Sequence, residues 1–173
     1  MILSTLNRMA RWAEMFSLAV AGLATVYLLF VTAFNVATRA LFDLSGTAVN
    51  LMIPAAIEQA SYALLLLVFA ALGAAARKNM IAVDLFVGRF PAVIRTGAAR
   101  LWFLLIMVLA VVLAWSFGEE AIKLAGRGDV TQDLGLPLWI FYAAITVECL
   151  ALAVICLAEG LTATEIGEGG AMT

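Results

Sequence analysis

Four long apolar stretches, each able to form a membrane-spanning helix, constrain this sequence more than any other feature. They cover residues 15–38, 59–76, 101–118 and 134–158. The only charged residue inside them is Glu148. A helix needs about 20 apolar residues to cross the hydrocarbon core of a bilayer. With 65% apolar and 13% charged residues, the 173-residue chain has more apolar surface than a soluble domain of this size can bury. The predicted fold is a single all-α integral membrane domain with four transmembrane helices, with spans at about residues 13–39, 54–76, 100–120 and 134–158.

The basic residues are distributed unevenly between the two sides of this membrane domain. Seven of the ten precede the first span or lie between the second and third: Arg8, Arg11, Arg77, Lys78, Arg89, Arg95 and Arg100. The other three are Arg39, Lys123 and Arg127. Because basic residues concentrate on the cytoplasmic side, we predict that both termini are cytoplasmic. The first apolar stretch is longer than a signal-peptide core, so we expect it to be retained as an anchor.

The segment between the second and third spans has an amphipathic pattern at helical spacing. Phe86 and Phe90 share an apolar arc across residues 79–95, whereas Asp84 falls on the opposite, polar face. The pattern predicts an interfacial helix that lies along the cytoplasmic surface of the membrane. Arg77 and Lys78, where the second span ends, are placed to meet anionic lipid headgroups. A carboxylate near that surface needs a cation, so we expect Asp84 to pair elsewhere in this chain or on a partner.

Several classes of function lack their usual residues in this sequence. The chain contains no histidine, which is the usual haem ligand, a common zinc ligand and a frequent general base. Cys149 and Cys156 are seven residues apart, roughly 10 Å along a helix and too far for a disulfide. A net charge of −2 without a basic run does not favour nucleic-acid binding. We therefore expect a protein that is not an enzyme and needs no cofactor.

Three charged residues in or beside the spans are candidate functional positions. Glu148 lies near the middle of the fourth span, where a charge is expensive. Its neighbours Ala144 and Ala151 are small, so another helix can approach and supply a hydrogen-bond partner. We favour this structural bridging over proton coupling, and we expect the chain to need helices of another subunit in addition to its own four.

The other two charged candidates lie at the outer ends of spans. Glu58, at the start of the second span, is expected to interact with the positive end of the helix dipole. Arg39 ends the first span and can extend its side chain to the headgroups. The polar residues 119–133 are expected to form an exposed outer loop.

Two stretches of the sequence resemble the small permease subunit of tripartite ATP-independent periplasmic (TRAP) transporters, the DctQ-like subunit. The longer stretch is AIEQASYALLLLVFAALGAAARKNMIAVDLFVGRFP. Its matching positions are Glu58, Leu72, Gly73, Arg77, Lys78, Ile81, Val83, Asp84 and Pro91. The shorter stretch is VTQDLGLPLW, which is similar to a T-x-x-L-x-(I/L)-P-x-W pattern before the fourth span. Arg39 at the end of the first span also fits, whereas Met80 replaces a common histidine and Glu148 is not a recognised feature.

The resemblance implies a subunit that does not carry solute by itself. It implies a large elevator-type permease subunit as partner, sodium-driven uptake of an organic acid, and delivery of that acid by a periplasmic binding protein. The small subunit would then enlarge and anchor the static scaffold in the bacterial inner membrane, with lipids around it. The resemblance leaves open whether the binding protein contacts it directly.

Two other functions remain open from the residues alone. One is a self-contained four-span transporter coupled to protons, with Glu148 or Glu58 as the coupling carboxylate. The other is a haem-free membrane anchor of a respiratory complex, since a haem-binding anchor would need axial ligands that the chain does not offer.

Overall fold

The computed structural model describes residues 2–44, 55–76 and 92–162 of the chain. These residues form four α-helices, which are α1 (Ile2–Leu44), α2 (Ala56–Ala75), α3 (Ala92–Arg127) and α4 (Leu138–Thr162). Each is long and apolar enough to cross a membrane, so the predicted four-span, all-helical architecture is confirmed for the described residues. Most of the predicted interfacial helix, residues 79–91, lies outside the described residues, and residues 92–95 belong to the start of α3.

The four helices differ in length because only part of each has to lie in the bilayer. At 1.5 Å per residue, the 20 residues of α2 span about 30 Å, which matches a hydrocarbon core. The 43 residues of α1 span roughly 65 Å and the 36 of α3 roughly 54 Å. These two helices therefore either tilt strongly or extend beyond the bilayer.

Helix α4 is the central element of the bundle. It packs along α3 and also contacts α1 and α2, and α1 packs along α2. Nine side chains of α4 are buried: Ile145, Glu148, Cys149, Leu152, Ala153, Ile155, Cys156, Ala158 and Glu159. The two cysteines are free thiols within this packed face. Burial on several sides of one helix explains why α4 shows so little amphipathic pattern in its sequence.

Small side chains and aromatic pairs hold the helices together. Ala110 and Phe103 of α3 form a cluster with Cys156 of α4, and Ala10 of α1 packs against Ile155 and Ala158 of α4. Small residues allow helix backbones to approach closely, which is the usual basis of packing in membranes.

Aromatic rings reinforce the contacts of α2 with α3 and α4. Tyr62 of α2 stacks on Phe141 of α4 with ring centres 4.2 Å apart, and Phe69 of α2 meets Phe117 of α3 edge to face at 5.4 Å. Aromatic pairs of this kind contribute about 0.5–1.5 kcal/mol each beyond the area they bury.

The prediction of an outer loop at residues 119–133 was wrong in its first part. Helix α3 continues through these positions to Arg127. Lys123 forms an ion pair with Glu119 one turn earlier, with 2.7 Å between Nζ and Oε1. Charged residues end an apolar span, but they are compatible with a helix that continues into water. The connector between α3 and α4 is therefore confined to residues 128–137.

Candidate functional site

Glu58 holds the connector between α3 and α4 against the start of α2. Its carboxylate accepts backbone hydrogen bonds from three consecutive amides, those of Gln132 (3.1 Å), Asp133 (3.2 Å) and Leu134 (3.3 Å). We call this arrangement of Glu58 and the three amides the outer clamp, after the side of the membrane on which the sequence predicts it. A carboxylate is well suited to such a row of N–H groups because it carries two acceptor oxygens and a full charge. Glu58 lies in the first turn of α2, as the dipole argument expected, but its hydrogen bonds join two distant parts of the chain.

The connector is folded so that its amides can face Glu58. Thr131, which is buried, accepts the amide of Leu136 on its side-chain oxygen (3.1 Å), and its own amide binds the Leu136 carbonyl (2.8 Å). Gly135 has a φ of 65°, a conformation that favours glycine, and it closes this small loop. Pro137 lies one residue before α4, where its fixed φ and missing N–H are tolerated. The Thr131–Pro137 segment is therefore an ordered turn, in which Thr131, Gly135 and Leu136 each contribute to the observed backbone geometry.

An apolar cavity lies beside the outer clamp, between α1, α2 and α4. Its volume is about 500 Å³, and Leu134 and Leu136 of the connector form part of its wall. The Tyr27 hydroxyl donates a 2.6 Å hydrogen bond to Oε1 of Gln59 at this cavity, which ties α1 to α2. Its walls are otherwise mainly aliphatic and aromatic, so the cavity is suited to apolar groups.

Ser17 and Glu148 form a second polar contact deep in the bundle, and Gly73 packs against it. We call these three residues the buried clasp. The Ser17 hydroxyl of α1 donates a 2.7 Å hydrogen bond to Oε2 of Glu148 in α4. Both side chains are almost fully buried, with 0% and 1% of their surface exposed. The predicted structural bridge from Glu148 to a neighbouring helix is thus present. The helix that makes this contact is α1 of the same chain, and the need for helices of another subunit stays a prediction.

Gly73 brings α2 to the same point. A Cβ atom added to Gly73 would lie 2.7 Å from Ser17 Oγ and 3.1 Å from Ser17 Cβ, closer than real Cβ contacts. The glycine is therefore required by the close approach of α2 to α1, directly behind the hydroxyl that binds Glu148. Three helices meet at the buried clasp, and it excludes any larger side chain at this position of α2.

The remaining predicted site residues lie apart from these two contacts or outside the described residues. Arg39 is exposed on α1, five residues before the helix ends at Leu44. Five positions fall outside the described residues: Arg77, Lys78, Asp84, Phe86 and Phe90.

Sequence reasoning did not identify Ser17, Thr131 or the Tyr27–Gln59 pair as functional positions. Hydroxyl residues in apolar helices usually bond to their own backbone, as Thr25 does to the Ala21 carbonyl. Ser17 instead bonds to Glu148 of α4, because α2 and α4 both pack against α1 at this position. A usable signal was present for Thr131, which is the first residue of the T-x-x-L-x-(I/L)-P-x-W pattern.

The fold and its polar contacts define a class of protein before any comparison is made. Four apolar helices, joined by a buried carboxyl group and by the hydrogen bonds of Glu58 to the connector, define a multi-pass membrane protein. A sequence model of the family described as "Tripartite ATP-independent periplasmic transporters, DctQ component" matches residues 28–165. The chain therefore belongs to the DctQ family of TRAP transporter small permease components, and it is a multi-pass protein of the inner membrane. Comparison with curated proteins and with solved structures gives no significant match.

Family membership identifies the chain as a transporter component, and DctQ is not an enzyme family. The match includes Glu58, Gly73 and Glu148, whereas Ser17 lies before its first residue. The outer clamp joins the two stretches that carry the resemblance, because Glu58 opens the first stretch and the three amides belong to the second.

Proposed function

We propose that this chain is the static scaffold subunit of a TRAP transporter. In this proposal it pairs with a large elevator-type permease subunit, which moves an organic acid inward with sodium after a periplasmic binding protein delivers the acid. The chain holds the large subunit at a fixed depth in the membrane and carries no solute itself. Both termini and the segment between α2 and α3 face the cytoplasm.

The outer clamp is the observation that best supports a scaffold. A carboxylate used for transport has to exchange a proton or an ion, but Glu58 engages three backbone amides of the connector. Glu148 is enclosed with 1% of its surface exposed, and it contacts Ser17. Both candidate coupling carboxylates are thus used to hold helices in place, which favours the scaffold over a self-contained proton-coupled transporter.

The large apolar surface of the described helices supports a partner and a lipid environment. On α1, Leu23 is 73% exposed and Val36 70%, and on α3, Trp115 is 76% exposed and Ile122 75%. Side chains of this kind have to be covered by lipid or by another membrane subunit, since no water-soluble surface contains so many. We propose that one of these faces contacts the large permease subunit and that the others face lipid.

The segment between α2 and α3 completes the proposal as an anchor at the cytoplasmic surface. Arg77 and Lys78 would bind anionic headgroups, and Phe86 and Phe90 would insert among the acyl chains. Asp84 would pair with a cation elsewhere in the complex. An interfacial helix of this kind resists displacement along the membrane normal. A subunit beside a moving transport domain has to resist the same displacement.

Reconstitution into liposomes tests the proposed function. Four preparations are compared: this chain alone, the large subunit alone, both subunits, and both subunits with the binding protein. We expect sodium-driven uptake of the organic acid from the complete preparation and none from this chain alone. Uptake by this chain alone, driven by a proton gradient, would establish the self-contained transporter instead. Failure of the two subunits to purify together would contradict the scaffold role.

A further inference from the structure

Glu148 has an unusual environment for a carboxyl group. It occupies the eleventh position of the 25-residue α4, near the centre of the predicted span. Its Oε2 accepts the hydrogen bond from Ser17, whereas its Oε1 is buried without any hydrogen-bond partner. An ionised carboxylate has two oxygens that each need donors, and a single hydroxyl cannot meet that need.

Ionisable groups on the helices packed around Glu148 do not offer it a cation within the described residues. On α1, Glu14 lies one turn from Ser17 and is itself acidic, while Arg11 lies six residues away and is exposed. On α2, the described residues beyond Gln59 contain one ionisable group, Tyr62, which is eleven residues from Gly73.

The same holds for the two helices that form the other side of the bundle. On α3, residues 101–118 carry no ionisable side chain, and the exposed Arg100 lies beside Cys156, which is eight residues from Glu148 on α4. On α4, the neighbouring groups are the thiols of Cys149 and Cys156, the phenol of Tyr142 and the carboxyl of Glu159, none of which is cationic. An unpaired charge in the hydrocarbon region is far more costly than a neutral acid.

We infer that Glu148 is a proton-binding site: it holds its proton at neutral pH, and as a neutral carboxylic acid it fastens α1 to α4. Oε2 is then the carbonyl oxygen that accepts the Ser17 hydroxyl, and the proton rests on Oε1. Gly73 packs α2 against the far side of Ser17, and the side chains of Ser17 and Glu148 are both buried. The bound proton is a structural ligand of the bundle, distinct from a proton that moves with solute.

Infrared spectroscopy of the purified two-subunit complex tests the protonation state directly. The difference spectrum between the wild type and Glu148→Gln should contain the carbonyl band of a protonated carboxylic acid at neutral pH. The corresponding difference for Glu119→Gln should contain the two carboxylate bands, because Glu119 is exposed and forms an ion pair with Lys123. Carboxylate bands in the Glu148→Gln difference would overturn the inference.

A second measurement tests the role of Ser17 without requiring that Glu148 be changed. Replacing Ser17 by alanine removes the hydrogen bond to the acid carbonyl, so its band should move to higher frequency. The matched control is Thr25→Ala on the same helix, since the Thr25 hydroxyl bonds to the Ala21 carbonyl and not to Glu148. We expect no shift in that control. An unshifted band in Ser17→Ala would show that the hydroxyl does not bind the acid. Neither measurement depends on solute uptake, so their failure is separate from failure of the proposed function.

Discussion

Glu58 and Glu148 are both carboxyl groups on apolar helices, yet they differ in the number of hydrogen-bond donors that surround them. Glu58 lies in the first turn of α2 and accepts hydrogen bonds from three backbone N–H groups. Glu148 lies in the centre of α4 and has one neutral donor. Position along the helix and the number of donors, more than residue type, therefore determine what each carboxyl does.

Gly73 provides the most specific prediction at the scale of single residues. Gly73→Ala places a Cβ atom 2.7 Å from Ser17 Oγ, so the hydroxyl has to leave Glu148 or the helices have to separate. Overpacking of this kind destabilises by about 1–3 kcal/mol. We expect a lower thermal unfolding temperature for the detergent-solubilised complex.

Two further variants separate a local clash from a general effect of alanine. Gly22→Ala on α1 is the matched control, because nothing lies within 4 Å of its added Cβ. Ser17→Gly removes both clashing atoms, so Gly73→Ala should cost less in that background than in the wild type. If both backgrounds lose the same stability, Ser17 is not the obstacle.

The residues of the buried clasp were only partly predictable from the sequence. Glu148 was identified because a charge in an apolar stretch is rare, and Gly73 because it belongs to the resemblance. Ser17 could not be identified, because serine is tolerated in many apolar helices. Its role arises only from the packing of α1, α2 and α4, which no local pattern encodes.

At the scale of elements, the connector between α3 and α4 has more structure than its length suggests. Thr131 and Leu136 bond to each other, and the connector amides face Glu58. Asp129 also accepts the amide of Leu138 on its carbonyl oxygen at 3.1 Å, so the connector is joined to the start of α4. A short segment with this many internal hydrogen bonds is expected to keep one shape.

Glu58→Gln should release the connector. The amide side chain retains one acceptor oxygen but replaces the other by an NH₂ group, which cannot accept the amides of Asp133 and Leu134. We expect faster hydrogen exchange at the backbone amides of residues 132–134, measured by mass spectrometry on the intact complex. Glu119→Gln is the control, since Glu119 pairs with Lys123 on the surface of α3. Unchanged exchange in Glu58→Gln would show that the outer clamp does not hold the connector.

The ends of α3 show why sequence patterns locate spans better than helices. Hydropathy predicted a span at residues 100–120, but the helix extends from Ala92 to Arg127. Charges mark where a chain enters water, whereas a helix ends where its hydrogen bonding changes. Here the end is marked by Gly128, with a φ of 70° and an amide that bonds to the Leu124 carbonyl.

Two glycines on α3 allow the orientation of the chain to be tested with matched variants. Gly97 and Gly126 are both exposed, both have open space around an added Cβ, and they lie about 43 Å apart along one helix. With Cys149 and Cys156 replaced by alanine, Gly126→Cys should react with a membrane-impermeant thiol reagent added outside intact cells. Gly97→Cys should react only after the membrane is opened. The reverse pattern would place both termini outside.

At the scale of the whole molecule, the number of helices was predictable and their arrangement was not. The hydropathy of four apolar stretches gave the architecture directly. It did not indicate that α4 is the central helix. Nor did it indicate that α4 is the described helix whose backbone α3 approaches closely. Which helices become neighbours depends on small residues at the contact, such as Ala110 between α3 and α4 and Ala158 between α4 and α1. Many other pairs of alanine-rich helices have small residues at similar spacing, so the sequence does not single out these pairs.

The contacts described above link all four helices into one unit. The buried clasp joins α1, α2 and α4, the outer clamp joins α2 to the connector, and α3 packs along α4. None of these contacts requires a solute to be present. A static scaffold should therefore keep its internal distances while the transport domain of its partner moves.

Spin labels can test this expectation in the assembled transporter. With the native cysteines replaced, labels at Val36→Cys and Gly126→Cys report the distance between the outer parts of α1 and α3, where both positions are exposed. We expect the same distance distribution with and without sodium and solute. A label pair at Gly97 and Gly126 within α3 is the control for label flexibility. A third pair, from Gly126 to the transport domain of the large subunit, should change, because that domain moves. If the Val36–Gly126 distance changes as much as the third pair, the chain takes part in the motion and is not a static scaffold.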